Sequence, residues 1–254
     1  MTTLLVLLTG GNTGLGYQTV KQLAQAGYKV LLGARSEEKA RDAVQKILTE
    51  DNTIDASLIE PLSIDLDNDD SIAAAAKLVD SKFGHIDILI NNAAHTGLAN
   101  GQKTLREKMA TAYNSNVIGT NLVIDAFVPL LQKSTASAPG RRIVNVSSSL
   151  GSVTLAQDKT KLWRAMQKLY EPYSLTKSAL NLLTWYKIKE LDGQNIAIVT
   201  TSPGYCATNL NEHAGVREAR DGAKDIFEAA TTGTFETMNG KFFELSSSGG
   251  EIPW

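Results

Sequence analysis

The feature that most constrains the fold is an alternation of short apolar runs with longer segments of helical periodicity. The runs contain Val, Ile and Leu without alternating polar residues, which is typical of parallel strands covered on both faces. The candidate strands are Leu4–Thr9, Lys29–Ala34, Leu58–Asp65, Ile86–Asn91, Arg142–Ser147, Ile196–Ser202 and Lys241–Leu245. The helical segments are Leu15–Ala26, Glu37–Glu50, Asp69–Phe83, Thr104–Lys133, Pro172–Leu191 and Glu218–Thr231.

This alternation predicts repeated βαβ units, and hence an α/β fold with a doubly wound parallel sheet of about seven strands flanked by helices. A closed α/β barrel is the alternative, but it needs eight strand–helix repeats. Neither tandem repeats nor low-complexity linkers divide the 254 residues, so we expect one domain over residues 1–254. Right-handed crossovers would place ligands at the carboxyl ends of the strands.

Composition excludes several classes of partner. The formal charge is −2, so the chain has no basic field for nucleic acid. Cys206 is the only cysteine, which rules out an intrachain disulfide, and the three histidines do not have metal-ligand spacing, so no metal is expected. The apolar run Leu4–Leu8 lacks the basic flank and cleavage site of a signal peptide. We therefore expect a cytoplasmic protein with no membrane partner.

A glycine-rich turn, Thr9-Gly-Gly-Asn-Thr-Gly-Leu-Gly16, joins the first strand to the first helix. Its glycines permit a tight turn and a close approach of phosphate, and the helix N-terminus attracts an anion. A purely structural turn is the alternative, but the position between strand and helix favours a dinucleotide site in a Rossmann-type domain. The predicted cofactor contacts here are Gly10, Asn12, Thr13, Gly14, Leu15 and Gly16.

The end of the second strand indicates which dinucleotide is bound. An NAD site favours an acidic residue there for the ribose 2′-hydroxyl, but this chain has Ala34 followed by Arg35. A guanidinium matches a phosphate through a forked, charge-assisted hydrogen bond. The sequence therefore predicts NADPH in preference to NADH, unless Arg35 is only a solvated surface residue.

The third and fourth strands end in further candidate contacts. Asp65 is placed to accept a hydrogen bond from the adenine amino group, and the backbone N–H of Leu66 is placed to donate one to the adenine ring. Alternatively, Asp65 caps the next helix, a role for which Asn68 also competes. After the fourth strand, we expect Asn92 to be mainly structural, tying neighbouring strands together. The small residues Ala93 and Ala94 would flank the cofactor.

Tyr173 and Lys177 are the strongest catalytic candidates. Their spacing of four places both side chains on one helix face, where the ammonium group would lower the pKa of the phenol. Such a tyrosine exchanges a proton with a carbonyl or alcohol oxygen. Tyr17 and Lys21 have the same spacing, but their helix follows the glycine turn and is committed to phosphate binding.

Two polar positions support this pair. The fifth strand ends in three serines, of which the spacing to Gly151 favours Ser148 as the donor to a substrate carbonyl. Asn116 lies inside a long predicted helix, where an Asn is mildly unfavourable. It would bend the helix, hold a water that links Lys177 to solvent, or be a buried amide satisfied by a backbone carbonyl.

Taken in order, these residues resemble the short-chain dehydrogenase/reductase family over Thr9 to Leu245. The resemblance implies that Tyr173 is the general acid/base and that Lys177 binds the nicotinamide ribose. It implies that Ser148 positions the substrate oxygen and that Asn116 supports a proton-relay water. The motifs that carry the resemblance are the glycine turn, Asp65, Asn91-Asn92-Ala93, Asn116, Ser148, Tyr173 with Lys177, and Pro203-Gly204. It also implies that Pro203, Gly204 and the residues up to Thr208 border the nicotinamide.

The chain departs from the family pattern in three places. Ala94 stands where the family usually has Gly, and Thr13 offers no positive charge, which leaves 2′-phosphate recognition to Arg35. The interval from Ser148 to Tyr173 is about twice the usual length and predicts an insertion at about 152–170 with a short amphipathic helix. Monomeric carbonyl reductases carry a longer insertion there, so we favour a monomer and leave a homo-oligomer open.

Substrate contacts are less well defined by the sequence. Tyr205 would stack near the nicotinamide or substrate, or pack at the rim, and Trp163 would roof the pocket or only pin the insertion. Cys206 would line the pocket as a small apolar group. The segment from Thr208 to Arg220 is short for a lid, so we expect an open cleft that admits bulky carbonyl compounds.

The leading functional hypothesis is NADPH-dependent reduction of a small-molecule ketone or aldehyde to an alcohol. Enoyl reduction is an alternative, because Tyr170 precedes Lys177 by seven residues, a spacing that enoyl reductases use. A catalytically silent NADP(H)-binding sensor or scaffold is the alternative from another class.

Overall fold

A computed structural model describes residues 3–97, 104–136, 140–245 and 250–254, without the side chains of residues 161–164. Its main sheet has eight strands in the order β3-β2-β1-β4-β5-β6-β9-β10, and only β10 runs antiparallel to its neighbour. This arrangement confirms the predicted α/β class, with the strand order reversing between β1 and β4. The main-sheet strands are β1 Leu5–Leu8, β2 Lys29–Ala34, β3 Ile59–Ser63, β4 Ile88–Asn91, β5 Arg142–Val146, β6 Ala197–Thr201, β9 Phe242–Glu244 and β10 Gly250–Glu251.

The sequence predicts about seven of these strands and misses β10. Two residues in an antiparallel edge pair, Gly250–Glu251, are too short to show an apolar run. A second sheet was also missed: it pairs β7, Cys206–Ala207, with β8, Arg217–Glu218. Strand β3 begins one residue later than predicted, because Ala56–Leu58 forms a 3₁₀ turn.

The helices follow the predicted segments closely. The short helix predicted within residues 152–170 is present as α6. The expected long helix from Thr104 to Lys133 is divided into α4 and α5 by a π-helical segment, Asn114–Gly119. The helices are α1 Gly14–Gln25, α2 Glu37–Glu50, α3 Asp69–Phe83, α4 Leu105–Tyr113, α5 Thr120–Gln132, α6 Lys161–Leu169, α7 Glu171–Glu190, α8 Ala219–Thr231 and α9 Phe235–Met238.

Apolar residues are buried on both faces of the sheet. Leu8 and Val144 pack on one face with Ile226 of α8, and Leu7 packs on the other with Phe127 of α5. Because each strand has an apolar environment on both sides, its sequence does not alternate with polar residues. Among the residues described, no helix is long and apolar enough to cross a membrane, and no group of three His, Cys, Asp or Glu side chains is arranged to hold a metal.

Candidate active site

A cleft of about 510 Å³ lies at the carboxyl ends of the central strands. This size is within the usual range of about 300–1,000 Å³ for cofactor and ligand sites. The sequence-predicted cofactor residues that line it are Gly10, Asn12, Thr13, Gly14, Leu15, Gly16, Arg35, Asp65, Leu66, Asn92, Ala93, Ala94, Tyr173, Lys177, Pro203 and Thr208. Gly204 is the exception, because it lines an adjoining smaller cavity instead.

The glycine turn has the shape of a cradle for a dinucleotide. Gly10 and Gly14 have φ angles of +67° and +55°, in the left-handed region that favours glycine. A Cβ on Gly16 would lie 2.2 Å from the Gly10 carbonyl oxygen, so the close packing of turn and helix excludes any side chain there. Helix α1 has no acidic residue in its first turn, which suits an anion at its N-terminus. These residues fit a bound dinucleotide phosphate.

Asn92 holds this turn in place, in agreement with the structural role predicted for it. Its Nδ2 donates to the carbonyl oxygens of Thr9, at 2.9 Å, and Gly10, at 3.1 Å. The neighbouring Asn91 donates across the sheet to Asn145 Oδ1 at 2.9 Å. The Asn pair therefore joins β4 to the glycine turn on one side and to β5 on the other.

Two cations lie at the end of the cleft beyond β2. Arg35 is exposed and lines the cleft together with Lys39, in the first turn of α2. Within the described part of the chain, neither forms an ion pair. The sequence reasoning missed Lys39, although its position four residues after Arg35 is a signal that would have found it.

Asp65 and Leu66 take different positions at the third strand end. Asp65 lines the cleft and accepts from the backbone N–H of Asp67 at 3.1 Å, which is a local turn contact. The predicted competition for the helix cap is resolved, because the side chain of Asn68 accepts from Ser71 N at the start of α3. Leu66 is buried, and its carbonyl oxygen packs against Gly119 so closely that a Cβ there would clash with it.

The three serines after β5 have three different environments. Ser147 is buried and donates to Asn181 Oδ1 at 2.6 Å, so its hydroxyl is occupied. Ser149 donates its backbone N–H to the Ser202 hydroxyl at 3.1 Å. Ser148 lies in the smaller cavity, accepts from Leu150 N at 3.2 Å and hydrogen-bonds the phenol of Tyr173. The geometry therefore brings Ser148 to Tyr173.

Tyr173 and Lys177 share one face of α7, as the spacing predicts. The Lys177 Nζ lies 5.4 Å from the centroid of the Tyr173 ring and donates to the Val146 carbonyl at 2.7 Å. Burial lowers the pKa of Lys177 to about 7. Burial also raises the pKa of Tyr173 well above its ordinary value, and the Ser148 hydrogen bond opposes this shift.

The expectation that Lys177 lowers the pKa of Tyr173 is therefore wrong for the chain by itself. The reason is that desolvation acts on both groups: it disfavours the phenolate, and it removes much of the ammonium charge that would have stabilised it. Tyr173 keeps its proton at neutral pH.

Asn116 lies in the π-helical segment between α4 and α5 and is 1% exposed. Its Oδ1 accepts from the His95 N–H at 2.7 Å, and its Nδ2 donates to the His95 carbonyl at 2.8 Å and to Thr176 Oγ1 at 2.9 Å. These hydrogen bonds make the side chain a satisfied buried amide, one of the three roles considered for Asn116, and they tie the π segment to α7. It does not line either cavity.

A second cavity of about 140 Å³ opens beside Tyr173. Tyr205 and Cys206 line it, as predicted, and Met166 of the insertion helix and Tyr170 line it as well. Trp163, the other predicted substrate contact, has a side chain outside the described residues. Burial raises the pKa of Cys206 to about 11, and its Sγ lies 3.1 Å from the Pro203 carbonyl, so it is an unreactive wall residue.

Arg217 fixes the loop after β6, whose Pro203 lines both cavities, and was not predicted. Its guanidinium donates to the Pro203 carbonyl at 2.6 Å and to the buried carboxylate of Asp225 at 2.6 Å. Its backbone N–H also donates to the Tyr205 carbonyl at 3.1 Å. No sequence motif marks this pair, because the two residues meet only through the turn from β8 into α8.

Fold and site together define the class: an oxidoreductase that works with a bound dinucleotide. A family model described as short chain dehydrogenase matches residues 4–219. The short-chain dehydrogenase anuI of Penicillium roqueforti is 40% identical over 253 residues, which cover 98% of this chain and 97% of that protein. The chain therefore belongs to the short-chain dehydrogenase/reductase family, whose members act on small molecules with nicotinamide cofactors.

Two further similarities bear on the chemistry. The (+)-neomenthol dehydrogenase of Capsicum annuum is 27% identical, over 88% of this chain and 90% of that protein. The crystal structure of NADPH-bound carbonyl reductase from chicken fatty liver aligns over 100% of both chains, with a TM-score of 0.80 and 25% identity.

Proposed function

We propose that the protein is an NADPH-dependent reductase that converts a ketone or aldehyde to an alcohol. The observation that carries the proposal is the position of Tyr173, which lines both the cofactor cleft and the smaller cavity. Ser148 contributes to the smaller cavity and Lys177 to the cleft. A substrate oxygen near Tyr173 would therefore lie at the junction of a cofactor site and a substrate site.

Each of the three side chains has one task in this proposal. Ser148 donates a hydrogen bond from its hydroxyl to the substrate oxygen, in place of the phenol that it contacts in the chain by itself, and keeps its proton. Tyr173 holds a proton at neutral pH and delivers it to that oxygen as the negative charge develops. Lys177, on the cleft side of the phenol, contributes positive charge or a proton near the ribose. A nicotinamide bound in the cleft would supply the hydride.

The contacts favour this activity over the alternatives, and the comparisons are consistent with it. An NADPH-bound carbonyl reductase shares the fold, and a (+)-neomenthol dehydrogenase is a relative. For enoyl reduction, Tyr170 would have to take the place of Tyr173, but its hydroxyl is 3.1 Å from that of Tyr205. A silent scaffold would have no use for a buried lysine and a serine-bonded tyrosine at the junction of two cavities.

Replacement of Tyr173 tests the chemistry. We expect Tyr173→Phe to lower kcat for carbonyl reduction by at least about 10²-fold, because general acid catalysis typically contributes that much. NADPH binding, followed by its fluorescence, should persist. Tyr186→Phe is the matched control, since Tyr186 lies on the same helix with 64% of its surface exposed. Turnover by Tyr173→Phe at the rate of the Tyr186→Phe control would refute the mechanism.

Replacement of Arg35 tests the cofactor. A charge-assisted hydrogen bond contributes about 1.5–3 kcal/mol, so Arg35→Ser should weaken NADPH binding roughly 10- to 100-fold and leave NADH binding nearly unchanged. Lys39→Ser should produce a smaller effect in the same direction. Arg41→Ser is the control, because Arg41 is paired with Glu37 on the same helix. An equal loss for both cofactors, or none for NADPH, would contradict the assignment.

A further inference from the structure

A pair of phenols on the wall of the smaller cavity takes no part in the proton transfer. The hydroxyl oxygens of Tyr170 and Tyr205 lie 3.1 Å apart, and the rings meet edge to face with centroids 6.3 Å apart. Tyr170 is buried at the junction of α6 and α7, whereas Tyr205 is half-buried on the loop after β6. Both rings line the cavity that Ser148 and Tyr173 also line.

The pair retains hydrogen-bonding capacity that the described residues do not use. Two phenols carry two O–H protons, and a single hydrogen bond between them uses one of these. Whichever hydroxyl donates, one O–H proton and the acceptor lone pairs remain. Burial and the Tyr205 hydrogen bond raise the pKa of Tyr170 to about 12, so its hydroxyl stays protonated at neutral pH. The wall thus presents a neutral donor and acceptor.

The rest of the cavity limits what can reach this pair. Apolar side chains of Leu15, Leu150, Met166 and Leu210 line it, none of the described residues that line it is charged, and the nearby Glu212 carboxylate acts on Tyr170. Its volume of about 140 Å³ is close to that of the cavity of about 150 Å³ that holds one benzene ring. A carboxylate would lose its hydration there without gaining a cationic partner.

We propose that the substrate is an uncharged, ring-sized carbonyl compound with a second oxygen, which the Tyr170–Tyr205 pair hydrogen-bonds. This inference rests on the proposed function, because Ser148 and Tyr173 must hold the reacting carbonyl while the pair holds the other oxygen. The two phenols are then specificity determinants: they select among ketones and leave the chemical step to Tyr173.

Three ketones of matched ring size test the proposal: 4-hydroxycyclohexanone, cyclohexanone and 4-oxocyclohexanecarboxylate. We measure kcat/KM for each through the oxidation of NADPH. The wild type should prefer the hydroxyketone over cyclohexanone about five- to tenfold, as one hydrogen bond provides. The carboxylate should be reduced more slowly than either.

The variant that removes both hydroxyls and keeps both rings is Tyr170→Phe/Tyr205→Phe. Its ratio of kcat/KM between hydroxyketone and cyclohexanone should fall to about one, whereas a loss of packing alone would lower both values together. Tyr186→Phe is the control and should keep the preference. Any of three results would overturn the inference. The wild type reduces the hydroxyketone and cyclohexanone with equal kcat/KM, it reduces the carboxylate faster than either, or the double variant keeps the preference for the hydroxyketone. Absence of NADPH oxidation with any carbonyl compound would overturn the reductase itself.

Discussion

At the scale of single residues, Lys177 has an unusual environment. It is 2% exposed, it donates to the Val146 carbonyl, and in the described part of the chain it forms no ion pair. A buried ammonium group without a carboxylate partner destabilises the folded chain. The amine therefore loses its proton more readily, and the pKa of Lys177 falls. The spacing Tyr-x-x-x-Lys predicts where the amine is but not its protonation, because desolvation depends on every chain segment packed around it.

The stability of the protein should depend on pH through Lys177. The pKa of this amine is about 7 in the folded chain, and in the unfolded chain it returns to the ordinary lysine value of 10.5. Between these values the unfolded chain holds one more proton, so stability rises with pH. From pH 6 to pH 9, the free energy of unfolding of the wild type should rise by roughly 2–3 kcal/mol relative to that of Lys177→Met.

Urea unfolding of both proteins at the two pH values measures this gain. Lys189→Met, an exposed position on the same helix, is the control and should follow the wild type at both pH values. A stability difference between wild type and Lys177→Met that is the same at pH 6 and pH 9 would show that Lys177 does not titrate in this range.

At the scale of elements, α7 is held against two others. A Cβ on Gly151 would lie 2.6 Å from the backbone carbon of Lys177, so the loop after β5 packs directly on α7 at this glycine. This contact explains why the spacing from Ser148 to Gly151 matters. On its other side, α7 is joined through Thr176 to Asn116, and the Thr176 hydroxyl also donates to the Tyr173 carbonyl at 2.7 Å.

Removal of the Asn116 amide should loosen this junction. Asn116→Ala removes these hydrogen bonds from the part-buried N–H and carbonyl of His95 and from Thr176, and an unsatisfied buried group costs about 1–3 kcal/mol. We expect a loss of about 2–4 kcal/mol in the free energy of unfolding, measured by chemical denaturation. Asn121→Ala, one turn further along the chain, is the control. If both variants are equally stable, the amide does not tie the elements together.

The elements also show what the sequence was able to predict. Strands such as Lys29–Ala34 and helices such as Glu37–Glu50 have the predicted bounds. Hydrophobic periodicity and helix-capping residues can be recognised within a short stretch of sequence. The π-helical segment and the β10 edge pair depend on tertiary contacts that no local pattern encodes. In the same way, Ser148 and Tyr173 were predictable from spacing, but the Tyr170–Tyr205 pair required the fold to join positions 35 residues apart.

At the scale of the whole molecule, the cofactor cleft draws on both halves of the chain. Its lining includes residues between Gly10 and Asp67, the segment Asn92 to His95, and residues between Val146 and Leu210. A single sheet connects them, since β4 pairs with β1 on one side and with β5 on the other. We therefore propose that the chain is one cooperative domain, with the insertion at about 152–170 as a local addition.

Thermal unfolding tests this proposal in one experiment. Trp185 and Trp254, with ring centroids 5.5 Å apart, report on the C-terminal half, and Trp163→Phe leaves them as the only tryptophans. In that variant, tryptophan fluorescence and far-UV circular dichroism should give one coincident transition. NADPH at about 100 times its Kd should raise both midpoints by roughly 5–10 °C, because binding stabilises the whole folded unit. If the fluorescence midpoint stays fixed while the dichroism splits into two steps, the chain consists of two independently folding units.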